Sequence, residues 1–145
     1  MNASTDTLNQ QQKNQQQRHQ QYHQQLLCKL LSALQQQAPF NSEAIEENEQ
    51  KFLISLTALS TQLDASADNT FKGQELLCKI IANYSHLTPL VPRDLLWFFA
   101  GDCLHFMPDD EINCYQKLDE MRFEAESKGE IFNYEASRAA LFKLH

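Results

Sequence analysis

The chain has 145 residues, 42% of them hydrophobic and 10% aromatic, and a net charge of −7. That is the length of one ordinary domain, with enough apolar mass to bury a core unaided by metal or disulfide staples. Three glycines and four prolines are too few for a turn-rich β fold, and the acidic balance argues against nucleic acid as a partner.

The first residues, MNASTDTLNQQQ, lack the basic start and apolar run of an export signal. No stretch approaches the roughly 18 apolar residues of a membrane span. Cys28, Cys78, Cys103 and Cys114 form no CxxC pair, so they read as reduced thiols of a cytoplasmic protein. Residues 9–25, NQQQKNQQQRHQQYHQQ, are of low complexity. They predict a flexible, Gln-rich tail over residues 1–20 that frays into the first helix. If that tail is helical, His19, Tyr22 and His23 continue the stripe begun by Leu26.

Helical spacing then predicts a first helix over 20–37, with an apolar face of Leu26, Leu27, Leu30, Leu31 and Leu34, ending before Pro39. A second, over 42–64, takes Asn41 as its N-cap and a staple between Phe40 and Ile45, and buries Phe52, Leu56, Leu59 and Leu63. The turn signal DASADNT leads to a third, over 70–87, with Leu77, Ile80, Ile81, Tyr84 and Leu87. The fourth, over 92–106, starts at Pro92 and is apolar nearly all round. The fifth starts at PDDE, where acids meet the positive helix end, and closes at Gly129. A short sixth, over 134–143, is amphipathic through Ala136, Ala139, Ala140 and Leu141. With no period-two run, the fold class is all-α: an antiparallel bundle of five to six helices forming one domain over 21–145. LLCKLLSAL (26–34) and LLCKIIANY (76–84) align fifty residues apart, as do Pro39 and Pro89, which suggests two duplicated αα hairpins.

The stretch DLLWFFAGDCLHFMPDDE, 94–111, holds the densest chemistry. Asp102, Cys103, His105, Asp109 and Glu111 offer metal or ligand donors, and on a helix Asp102 and His105 share a face. Cys103 points about 100° away from Asp102 on such a helix, and a structural zinc site needs two tightly spaced Cys/His pairs. Cys103 and His105 diverge too far on a helix to form a nucleophile–base couple. The prevailing reading is therefore a packed helix end, with Asp102 and His105 as a hydrogen-bonded pair finishing it. One excess remains: Leu95, Trp97, Phe98 and Phe99 surround the fourth helix, and a small bundle hides every side of one helix only with difficulty. They form the candidate interaction surface.

No nucleotide-loop, zincin, nucleophile-elbow or EF-hand motif is present. The expectation is a non-enzymatic protein-interaction or regulatory module that needs no cofactor. It would act through a protein partner or by self-association as a homodimer, and bind neither nucleic acid nor membrane. The alternative is a metal- or small-ligand-binding bundle, with or without enzymatic activity, using Asp102, Cys103 and His105.

Overall fold

The computed structural model describes residues 2–143. Among them every regular element is helical: α1 (Asn2–Gln35), α2 (Glu47–Thr61), α3 (Ala67–Asn83), α4 (Arg93–Phe99), α5 (Asp109–Ser127) and α6 (Tyr134–Lys143). Two 3-10 helices, Ser85–Leu90 and Gly101–Phe106, flank α4. No described helix is long and apolar enough to cross a membrane. The contacts group into two compact units, one of residues 1–21 and 107–145, the other of residues 22–106.

In the second unit the core comes from the stripes that the spacing marks. Leu27, Leu30 and Leu34 of α1, Phe52, Leu56 and Leu59 of α2, and Leu77 and Ile80 of α3 are all buried. Each such side chain contributes about 1.5–3 kcal/mol on leaving water. The resemblance between 26–34 and 76–84 extends to burial. Leu27 and Leu77, and likewise Leu30 and Ile80, are sealed, while Cys28 is exposed where Cys78 is half-buried. It ends at the helices that follow, because α2 has 15 residues and α4 only seven.

Several boundaries differ from expectation; α3 runs over Ala67–Asn83 where 70–87 is expected, leaving Leu87 on the following 3-10 helix, and three further differences bear on the packing. Helix α1 already runs from Asn2, in keeping with the good helix propensity of Gln and with anchors inside the first unit. Gln15 is buried and donates from Nε2 to the Glu130 carbonyl at 2.8 Å, and the His19 ring stands edge-on to Tyr134 at 5.0 Å. Helix α2 starts at Glu47, not 42. Asn41 serves the end of α1 instead, its backbone N–H donating to the Gln37 carbonyl at 2.9 Å and its Nδ2 to that of Gln36 at 3.3 Å. Phe40 drops into the core against Phe52 (5.4 Å) and Tyr84 (4.9 Å), which holds the intervening turn.

The third difference is at α4, which stops at Phe99. Ala100 and Gly101 both take positive φ (55° and 56°), and a 3-10 turn replaces the rest of the predicted helix. A side chain at 101 would collide with Gln74 as well as face that backbone strain. Gln74 itself uses the space, donating from Nε2 to the Phe99 carbonyl at 2.8 Å and closing the helix end.

In the first unit, α5 ends as its sequence dictates. Gly129 has φ 70°, with Glu130 N–H bonding to the Ala125 carbonyl and Gly129 N–H to that of Glu126, the paired bonds of a Schellman cap. Helix α6 packs differently from expectation, for Ala136, Ala139 and Ala140 are exposed. Its attachment is aromatic: Phe142 meets the sealed Tyr115 ring at 4.8 Å, and Arg138 donates to the Tyr115 hydroxyl at 3.3 Å.

Candidate functional site

The segment 92–106 forms a closed knot inside the second unit. Pro92 precedes α4 with φ −60°, and Arg93 reaches along the segment to donate to the Phe106 carbonyl at 2.9 Å. Leu95, Leu96 and Phe99 are sealed, so Leu95 and Phe99, expected on an interaction surface, are core residues. Trp97 and Phe98 are half-buried, and Phe98 lies parallel to the His23 ring at 4.2 Å. Part of the covering that the sequence left unassigned comes from α1, through His23 on Phe98, and from α3, through Gly73 on Phe99.

The polar groups of 102–111 do not converge. Asp102 and His105 project into solvent, 88% and 81% exposed, with 3.9 Å between Oδ1 and Nε2. That is too long for the expected hydrogen bond. Cys103, between them in sequence, is fully buried. Asp109 is exposed and Glu111 half-buried on the first turn of α5, in the other unit. Among the described residues no group of three His, Cys, Asp or Glu side chains is placed to hold a metal ion.

Two features escaped the sequence. The first is a buried polar tie. Asp94 is 4% exposed in the first turn of α4, where the helix dipole favours a carboxylate, and it accepts from the Tyr22 hydroxyl at 3.1 Å. The tie joins α1 to α4 and orients both. The second is a thiol pair. Cys103 Sγ lies 3.9 Å from Cys78 Sγ on α3. Burial, and next the neighbouring Cys78, push the Cys103 thiol up to about 12, so it stays protonated at neutral pH.

This unit carries a groove of about 300 Å³ between α2 and α3. Ile54 and Ala58 line it from α2, Gln62 and Asp64 from the turn that follows, and Asn69 and Lys72 from α3. Ile54 is 62% exposed, and Phe71, adjacent to Lys72 in sequence, is 66% exposed. The turn is rigidly built. Ser66 caps α3 by accepting from the Asn69 N–H at 3.2 Å, and Asn69 Nδ2 donates to the Gln62 carbonyl (2.7 Å) and to Asp64 Oδ1 (3.0 Å). The Ser66 N–H also donates to Asp64, at 2.8 Å. Hydrogen bonding from Ser66, foremost, and from Asn69 holds the Asp64 carboxyl below the usual carboxylate range, so it is an anion throughout the neutral range. The groove thus carries apolar side chains, one anion and one cation in its lining.

The PA2817-like family model matches residues 13–145. The chain belongs to the PA2817-like family. No curated protein and no solved structure matches it. The family match begins within α1 and takes in α2 to α6, so both the groove and the thiol pair of this PA2817-like chain lie inside the shared region.

Proposed function

We propose that the chain is a non-enzymatic protein-interaction module of the cytoplasm that self-associates through the groove between α2 and α3. The observation that carries this reading is the groove itself, where the exposed Ile54 stands with Ala58, and Lys72 and Asp64 share the same lining. Two copies with a net charge of −7 repel each other, so a contact must be locally neutral. This groove is neutral in its lining, and a twofold arrangement sets each Lys72 against the other copy's Asp64.

Size fixes the strength. Helix α2 has 15 residues, about 22 Å of length, and two helices side by side give a face of roughly 450 Å² per copy. That falls below the roughly 800 Å² per partner of a standard stable interface, so the dimer is a weak one, in the micromolar range.

Light scattering after size exclusion, loaded at about 100 µM, reads this directly. The wild type is expected to run at dimer mass and to dissociate on dilution. Ile54→Glu places a charge in the groove and is expected to be monomeric at the same load, with an unchanged helical circular dichroism spectrum because Ile54 is exposed. A wild type that stays monomeric at that load, or an Ile54→Glu variant that dimerises as well as wild type, refutes the reading.

A further inference from the structure

We infer that Cys78 and Cys103 are a redox-active dithiol, oxidised to an internal disulfide by hydroperoxides. The two Sγ atoms are 3.9 Å apart on α3 and the 3-10 turn 101–106. Twenty-five positions separate them in sequence, so helix geometry did not put them together; the fold did. A disulfide needs about 2.05 Å, so the two sulfurs must turn toward each other to close it. A backbone contact also bears on the Cys103 side. Cys103 Sγ also approaches the Gln74 carbonyl at 3.9 Å, and Gln74 holds the end of α4 through the Phe99 carbonyl.

The two thiols differ in access. Cys78 is half-buried, whereas Cys103 is sealed. A hydroperoxide therefore reaches Cys78 first. The Cys78 sulfur attacks the terminal peroxide oxygen; an S–O bond forms, the O–O bond breaks, and the departing alkoxide or hydroxide takes up the thiol proton. The product is a sulfenic acid at Cys78 and an alcohol, or water when the oxidant is hydrogen peroxide. Cys103 sulfur then attacks the Cys78 sulfur. The S–S bond forms, the S–O bond breaks, and hydroxide leaves with the Cys103 proton as water. Two thiols and one hydroperoxide thus give one disulfide, one alcohol and one water. A protonated, buried Cys103 makes this second step the slow one. The same burial shields the product, so a dithiol reductant reverses it only slowly.

The remaining cysteines supply the controls. Cys28 is exposed and Cys114 is buried on α5 in the other unit. The oxidation is run on the full chain carrying Cys28→Ser, which removes the exposed thiol that would link two copies. After hydrogen peroxide, peptide mapping is expected to find one cross-linked pair, Cys78 with Cys103, two hydrogens lighter than the reduced peptides. The melting temperature is expected to rise by roughly 5–10 °C and to return after prolonged dithiothreitol. Cys78→Ser and Cys103→Ser each abolish the cross-link, and Cys114→Ser keeps it. Direct over-oxidation of Cys78 to sulfinic acid with no cross-link overturns the inference, as does a cross-link that survives Cys103→Ser. Neither outcome bears on the groove between α2 and α3.

Discussion

Gly73→Ala is expected to destabilise the chain by about 2–3 kcal/mol, although the same change on an open helix face stabilises by up to about 1 kcal/mol. Gly73 is buried in α3, and a methyl group there runs into the Phe99 ring. That ring is 1% exposed and ends α4 immediately before the positive-φ pair, so it has little room to retreat. Thermal melts monitored by circular dichroism should show a drop of roughly 5–10 °C. Pairing Gly73→Ala with Phe99→Leu should recover part of the loss, so the double variant costs less than the two singles together. A Gly73→Ala protein as stable as wild type contradicts the close approach of α3 and α4.

The second large effect falls in the other unit. Tyr115 is fully buried, faces Phe142 at 4.8 Å and accepts from Arg138 at 3.3 Å. No residue of α6 is itself fully buried, so this one ring carries much of its attachment. Tyr115→Ala is expected to cost about 3–5 kcal/mol, against the 5–15 kcal/mol that such a domain has in total. Tyr115→Phe removes only the hydroxyl and should cost about 1 kcal/mol. Urea unfolding of the two variants separates ring from hydroxyl. Equal losses in both would mean that the Arg138 bond, rather than ring burial, holds α6.

The helical class was legible because each apolar stripe falls at 3–4 spacing. Phe52, Leu56 and Leu59 of α2, and Leu63 just beyond its end, are all buried as that spacing requires. The end of α5 was legible for a different reason, since Gly129 is the residue type its backbone conformation needs. The break after Phe99 was not. Ala100 takes a positive φ that its residue type does not announce, and the helix end before it is closed by Gln74, 25 positions before Phe99 in sequence. The same holds for the start of α1, where Gln15 is anchored by a carbonyl 115 positions away. Low local hydrophobicity says nothing of such a bond.

The sites divide along the same line. The cluster 102–111 drew notice because its donors are close in sequence, but proximity along the chain put Cys103 in the core and Asp102 and His105 outside. The groove did leave a trace: Ile54 stands off the stripe of α2. An apolar residue on the polar face of an amphipathic helix is the signal that was available there. The thiol pair left none, because Cys78 and Cys103 meet only after α3 and α4 have packed.

The self-association reading stands or falls on what Ile54 touches. Methyl NMR of isoleucine-labelled protein over a dilution series observes that side chain alone, with the sealed Ile80 as an internal reference. The Ile54 methyl resonance should move progressively between about 500 and 5 µM while that of Ile80 stays fixed. An Ile54 resonance that does not shift across the series would show that the groove between α2 and α3 meets no second copy.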